Sequence, residues 1–260
     1  INTVRKHLSG VKGGKFAALC APAQVYTIAL SDILGDRPDS IASGPTCADR
    51  STCEEAFAIV EKYGLTLSGE MKKQLSVETP KEVPNSTMLI TGSVKELCFA
   101  AAAEAKALGY APLILSTFVD CEAKEAGRFL ASIGKTIQQE GFPLKGPCAI
   151  ICGGETVVKI TGPGKGGRNQ ELALSAAASI AGMEDIVIGA VGSDGTDGPT
   201  DAAGGLVDGQ TKVILDGAGI AIDDVLAQND SNRALAIANA LVVTGPTGTN
   251  VNDLYFLLCK

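Results

Sequence analysis

The sequence predicts an α/β fold with a mostly parallel sheet, and three observations carry that expectation. Short apolar runs, among them QVYTIAL, TMLITG, APLILS, CAIICGG and DIVIGAVG, alternate with Ala-, Glu- and Lys-rich runs of helical period. Helical runs stop at Gly64, Gly109 and Gly141, the residue type that most readily adopts the left-handed conformation ending a helix. With 260 residues, 45% of them hydrophobic, the chain can fill the core of one large domain or two small ones.

Taken in order, residues 3–20 read as helical pieces broken at Gly13-Gly14. Residues 24–30 read as a buried strand, which runs into the polar loop SDILGDRPDSIASGPT, 31–46. Asp49 or Ser51 is placed to cap the helix STCEEAFAIVEKYG. A weaker helix covers 68–76, Pro80 and Pro84 mark a linker, and 87–92 is a strand. Helix over 94–109, strand over 111–116, helix over 122–141 and a strand from 148 continue the alternation. The second half changes character: VVKI, 157–160, alternates like an edge or antiparallel strand, and a helix spans about 170–181. DIVIGAVG, 185–192, is a buried strand, and GLVDGQTKVI reads as a hairpin. Two short helices fall near 221–227 and 231–240, and the chain closes as strand, glycine loop and strand. The expected domain boundary lies within 143–150.

Composition narrows the function. Lys and Arg total 22 against 29 Asp and Glu, a net charge of −7, which argues against a nucleic-acid partner. A small phosphorylated ligand needs only a local positive spot. No apolar run reaches the roughly 18–20 residues of a membrane span, so no membrane partner is expected. The 8 cysteines match no zinc spacing, and Cys148 and Cys152 in CAIIC read as buried free thiols. A reducing, cytoplasmic setting is the expectation. The chain opens on Ile1 without a signal-like segment and reads like the middle of a longer protein, part of whose active unit could come from a second chain; a homo-oligomer stays open.

Chemistry is expected in four polar loops that follow strand-like runs, because open α/β sheets bind ligands beyond strand ends. GPGKGGRNQE, 162–171, sets four glycines beside Lys165, Arg168 and Asn169 at the start of a helix. Its backbone amides could cradle a phosphate while Lys165 and Arg168 neutralise it; the alternative is a solvated turn. The spacing is neither a Walker A loop nor a dinucleotide fingerprint. GSDGTDGPTD carries Asp194, Asp197 and Asp201, which suit Mg²⁺ or a string of Asx turns. Glu155 adds a carboxylate after CAIICGG. The loops 31–46, with Ser43 and Gly44, and 244–250, with Thr247 and Asn250, complete the set. Arg5, Lys6, Lys12 and Lys15 form either a solvated basic face or an anion contact. His7 is the one histidine, so no Ser-His-Asp triad or histidine-rich metal site can be assembled within the chain. The residues alone point to an enzyme acting on a phosphorylated or strongly anionic small molecule.

NTVRKHLSGVKGG, SDILGDRPDSIASGPT, GGETVVKITGPGKGGRNQELAL, GSDGTDGPTDAAGG and TGPTGTNVNDL, in this order, resemble the MOFRL-type glycerate kinase family from residue 2 to residue 254. The resemblance implies a Rossmann-like layered domain over 1–146, a second α/β domain, the MOFRL domain, over 147–260, and an active site in the cleft between. It implies transfer of the γ-phosphoryl group of ATP, with Mg²⁺, to the 2-hydroxyl of D-glycerate. Arg168 matches the arginine of GGRNQE, Glu155 the glutamate of GGET, and Asp194 and Asp197 the aspartates of TDGTDG, with Ser193 where Thr is common. Leu34 stands where SDVPGD is usual and keeps both flanking aspartates. On this picture Arg168, Asp194 and Asp197 are catalytic, and Asp194 and Glu155 bind metal. Lys165, Gly166, Gly167, Asn169, Ser43, Gly44, Thr247 and Asn250 then contact nucleotide or glycerate. Family members carry a catalytic lysine upstream of NTVRKHLS, which no residue here replaces. Two alternatives are an NAD(P)-dependent hydroxypyruvate reductase, an older label of some members, and a non-catalytic ligand-binding module.

Overall fold

In the computed structural model, which describes all 260 residues, the chain clusters into two units, Ile1–Thr91 and Gly92–Lys260. Local chemistry sets the elements of the first. Helices α1 (Asn2–Leu8) and α2 (Lys15–Cys20) are separated by Gly13 and Gly14, at φ 62° and 80°. Lys15 Nζ donates to the carbonyls of Lys6, His7 and Ser9 and so closes the end of α1. Lys6 is buried against Asp39 and Asp49, and Lys12 donates to the Ala42 carbonyl. Of the basic cluster only Arg5 keeps an open face; the others are spent on the protein itself.

Helix α3 (Cys53–Lys62) is capped by Thr52, not by Asp49 or Ser51: the Thr52 hydroxyl accepts from Glu55 N, and Glu55 accepts from Thr52 N. Asp49 is otherwise engaged, accepting from Lys6, Ser51 and Thr79. Helix α4 (Gly69–Leu75) starts at its Ser68 cap. Strands β1 (Val25–Leu30) and β2 (Ser86–Gly92) form a two-stranded sheet. The expectation of a buried strand at 24–30 is corrected, since Tyr26 and Ile28 are 77% and 76% exposed. Their alternation with half-buried residues shows a sheet covered on one face.

The second unit contains α5 (Val94–Ala107), β3 (Ala111–Val119), α6 (Ala123–Glu140), β4 (Cys148–Gly154), α7 (Arg168–Ser179), β5 (Ile186–Gly192) and β6 (Gly204–Asp208). Helices α8 (Thr211–Gly217), α9 (Ile222–Ala227) and α10 (Ser231–Ile237) follow, then β7 (Leu241–Val242) and β8 (Asp253–Cys259). The six-stranded sheet runs β3-β4-β8-β5-β6-β7. Only β3 and β4 pair in parallel; β8 is antiparallel to both β4 and β5, and β6 to β5 and β7. The mostly parallel expectation is therefore corrected to a mixed sheet, with the last strand inserted at its centre. Contacts divide the chain at Thr91, and β3 and β4, on either side of the expected boundary at 146/147, are paired strands.

Two further expectations change. VVKI is no strand and makes one bridge, Val157 to Glu122. TKVI opens α8 and not a hairpin strand: Asp208 Oδ1 accepts from Gln210 N and Thr211 N, a turn that starts a helix. The core packs α6 and α7 on the sheet, with Leu130, Leu172, Ile150, Ile188, Tyr255 and Leu257 buried. Helix α7 is buried throughout 169–177. A Cβ on Gly127 would lie 2.2 Å from the Leu172 carbonyl oxygen, so α6 and α7 approach at backbone contact. All cysteines are free thiols, and Cys148 and Cys152 are buried as expected. No helix is long and apolar enough to cross a membrane.

Candidate functional site

The inserted strand creates the site. Asp253, the first residue of β8, pairs in register with Gly154 at the end of β4 and with Gly192 at the end of β5. Three strand ends thus share one edge, and the loops 155–167, 193–203 and 243–252 leave from it.

Arg168, the first residue of α7, is held at this edge by two carboxylates. Its Nε donates to Asp253 Oδ2, its Nη2 to Asp253 Oδ1 at 3.1 Å, and its Nη1 to Glu155 Oε1 at 3.3 Å. Asp253 is buried, whereas 35% of the arginine side chain stays exposed. Tyr255 OH donates to Asp253 Oδ2 at 3.2 Å and accepts from Thr156 N at 3.1 Å. Burial lowers the Arg168 pKa, but the hydrogen bond and charge of Asp253, with the charge of Glu155, outweigh it and hold the guanidinium ionised. Burial, with the Asp253 charge, pushes the Tyr255 phenol upward, so it stays protonated. Glu155 reaches further through Oε2, which accepts from Asn252 Nδ2 at 3.3 Å.

The two aspartates of GSDGTDGPTD separate. Asp197 is buried, and both of its oxygens point at the start of α7: Oδ1 accepts from Asn169 N at 3.1 Å and Oδ2 from Gln170 N at 2.9 Å. Asn169 Nδ2 and Gln170 Nε2 donate to the same carboxylate. Burial raises the Asp197 pKa and the amide donors oppose the rise. Asp197 thus caps the start of α7 from a distant loop. Asp194 is half-buried; its Oδ1 accepts from Thr196 N at 2.9 Å, and its second oxygen has no protein partner.

The glycine loop is packed against residues 228–231. Thr161 N and Gly162 N donate to Asn229 Oδ1, Gly164 N to the Gln228 carbonyl, and Lys165 N to Asp230 Oδ1. The missing side chains are where the protein itself comes close. A Cβ on Gly164 would meet the Gln228 carbonyl oxygen at 2.4 Å, one on Gly166 the Ser231 Oγ at 2.1 Å, and one on Gly167 the Asp197 Cγ at 2.3 Å. Gly166 and Gly167 therefore provide room for residues 229–231 and Asp197, and the amides of Asn169 and Gln170 are already taken by a carboxylate. The Lys165 side chain is exposed.

The remaining expected residues hold loops together. Thr247 Oγ1 donates to the Ser193 carbonyl and Thr247 N to that of Asp194, while Val251 N donates to Ser193 Oγ. Asn250 Oδ1 accepts from Asn252 N. Loops 193–195 and 244–252 are thus sewn together, with Asp194 at the seam. Ser43 and Gly44 belong to the first unit. The Ser43 hydroxyl donates to Asn2 Oδ1, and Gly13 N and Gly14 N donate to the carbonyls of Ser43 and Gly44. Asp253, Asn252, Tyr255 and the clamp at 228–232 are missing from the sequence reading; the one available signal for Asp253 was the acidic residue at the head of an apolar run, NDLYFLLC.

Comparisons with known proteins find relatives along the whole chain. The MOFRL family matches residues 148–253, and a domain of unknown function, DUF4147, matches residues 1–76. A D-glycerate 2-kinase of Thermotoga maritima is 53% identical over 254 residues, which cover 98% of this chain and 61% of the relative. A glycerate kinase of Macaca fascicularis is 32% identical and is covered over 78% of its length by 100% of this chain. The crystal structure of a glycerate kinase from Thermotoga maritima superposes with a TM-score of 0.94 at 52% identity, over 100% of this chain and 63% of that one. The chain spans about three fifths of the length of the Thermotoga relatives.

Proposed function

From its membership of the MOFRL-type glycerate kinase family, we propose that the protein transfers the γ-phosphoryl group of ATP to the 2-hydroxyl of D-glycerate, giving 2-phosphoglycerate. The observation that carries the reading is the Arg168 fork, fixed by Asp253 and Glu155 where the ends of β4, β5 and β8 meet.

Phosphoryl transfer asks a protein mainly for positioning and charge neutralisation. Asp253 holds the guanidinium in one plane by a bidentate grip, so Arg168 is preorganised before the phosphate arrives. Asp197 fixes the helix start that carries it. The half-exposed remainder of Arg168 stabilises charge on the transferring oxygens. Asp194 fits a hard divalent ion, since its second carboxylate oxygen has no protein partner and Mg²⁺ needs only one or two carboxylates besides phosphate and water. Asp194 is the residue that would hold Mg²⁺, whose charge offsets that of the phosphates when bound. Glu155 uses both oxygens on Arg168 and Asn252 and is assigned a positioning part. Hydride transfer from a nicotinamide finds less support: the loop glycines are filled by residues 228–231 and do not have the dinucleotide spacing.

Arg168→Ala tests the reading. With ATP, Mg²⁺ and D-glycerate, and with ³¹P NMR separating the 2- from the 3-phosphate, kcat/KM is expected to fall at least ~10-fold, about 1.4 kcal/mol of transition-state stabilisation. Unchanged kinetics would remove Arg168 from the reaction. Wild-type turnover of hydroxypyruvate with NAD(P)H in place of phosphoryl transfer would overturn the whole reading.

A further inference from the structure

Three side chains of the first unit converge and serve no part of the site above. His7 is fully buried in α1, with Nδ1 2.8 Å from the Thr3 carbonyl oxygen. A carbonyl can only accept, so Nδ1 carries a proton, and in the neutral imidazole Nε2 presents a lone pair. That Nε2 is buried with no hydrogen-bond partner, and the nearest carboxylate oxygen, Glu78 Oε2, is 3.8 Å away. Buried polar atoms are nearly always satisfied, so an imidazole lone pair left open in this way calls for an explanation. Cys53, at the head of α3, stands beside it: the donor atoms of His7, Cys53 and Glu78 all lie within 4.8 Å of one another.

We infer that His7, Cys53 and Glu78 form a binding site for a thiophilic divalent cation of the Zn²⁺ type, with Nε2, Sγ and one carboxylate oxygen as ligands and water in the fourth position. The ligand types are those that zinc selects, and the Nδ1–H to backbone carbonyl contact is the usual outer-shell partner of a ligating histidine. Bonds of about 2.0–2.3 Å in a tetrahedron set donors roughly 3.3–3.8 Å apart. The donor atoms lie within 4.8 Å of one another, His7 Nε2 and Glu78 Oε2 are 3.8 Å apart, and the Glu78 side chain, 48% exposed, has room to move. Glu78 is already tethered beside the thiol, since its Oε1 accepts from Cys53 N at 2.8 Å. Its Oε2 pairs with Lys81 at 2.8 Å, so Lys81 occupies the place of the cation until one binds. Binding exchanges the S–H bond for an S–metal bond and releases that proton to solvent. The bound ion would tie together α1, the start of α3 and the segment after α4.

The test is a Co²⁺ titration of the purified, chelator-stripped protein, followed by displacement with Zn²⁺. One equivalent of Co²⁺ should produce a thiolate-to-cobalt charge-transfer band in wild type and in Cys121→Ser, which removes an exposed thiol elsewhere. The band should vanish in Cys53→Ser, and His7→Gln should weaken binding by roughly tenfold or more. Lys81→Ala should tighten it. A band that survives Cys53→Ser, or no band in wild type, overturns the site. Should His7→Gln fail to fold by circular dichroism, alkylation of wild type read by peptide mass decides: Zn²⁺ protects Cys53 if the site exists, and equal labelling with and without Zn²⁺ refutes it.

Discussion

Asp197→Asn tests whether the two aspartates of GSDGTDGPTD divide their tasks as the hydrogen bonds indicate. Every group facing the Asp197 carboxylate is a donor: the amides of Asn169 and Gln170 and the side-chain amide nitrogens of the same residues. An asparagine must turn its own NH₂ toward one of these pairs, so donor meets donor in a buried place. It also removes a negative charge from the positive end of α7. The lost charge–dipole term is worth up to about 2 kcal/mol when partly buried, and a buried donor left unmatched costs about 1–3 kcal/mol. The two overlap, which gives roughly 2–4 kcal/mol. With a urea m-value of about 2–3 kcal/mol/M, the unfolding midpoint should fall by about 1 M. Asp194→Asn is the control, because its Oδ1 accepts from Thr196 N and an asparagine oxygen can do the same. Its midpoint should move by less than ~0.5 kcal/mol equivalent, while turnover falls at least ~10-fold. Urea unfolding followed by far-UV circular dichroism, alongside the kinase assay, measures both. A wild-type midpoint for Asp197→Asn, or an equal loss of stability in Asp194→Asn, would refute the division.

Asp253→Asn should cut kcat/KM at least ~10-fold, since it loses the charge that orients the Arg168 fork, and Arg168→Lys should do the same because an ammonium cannot grip in two places. Wild-type rates in Asp253→Asn would show that the fork needs no such anchor. Asp49 carries a pH prediction: burial pushes its pKa up, but donation from Ser51, Lys6 and Thr79 wins and holds it at about 2 against 3.8 for the free side chain. A depressed folded-state pKa stabilises fully above about pH 4, and that stability is lost as pH falls toward 2. The loss is about 2 kcal/mol, read as the acid limb of the urea midpoint against pH. That limb should flatten in Asp49→Asn, and an unaltered slope would refute the assignment. Gly164→Ala should destabilise by about 1–3 kcal/mol because its Cβ meets the Gln228 carbonyl oxygen at 2.4 Å. Gly217→Ala, in α8 with no neighbour within 4 Å, should stabilise by roughly 0.4–1 kcal/mol, and thermal melts compare the two.

What the sequence made legible was local. Gly64, Gly109 and Gly141 end their helices at positive φ, and each such signal involves neighbours in the chain. Strand direction is different, because it depends on which distant segments pair. Nothing within DLYFLLC tells it to enter between β4 and β5 in the opposite sense. The rule that ligands lie beyond strand ends directs attention to residues after strands, so Asp253, at the head of β8, falls outside it until the antiparallel pairing is known. VVKI and TKVI mislead for the same reason: short apolar alternation does not separate a strand from a loop or a helix start without a partner strand.

In GPGKGGRNQE the glycines and Arg168 take their places for different reasons. Four glycines beside a lysine and an arginine read as an anion cradle, and Arg168 is indeed at the strand edge. The glycines themselves answer to residues 228–231 and Asp197, whose atoms fill the positions their side chains would take. The anion at the start of α7 exists as well, but it is the protein's own Asp197 carboxylate. This has a chemical consequence. With Asn169 N and Gln170 N committed, a phosphate reaching this edge meets the guanidinium and not a ring of helix amides. On the proposed function, recognition then rests on how firmly Arg168 is held, and Asp253, Glu155 and Asp197 are the residues through which the fold holds it.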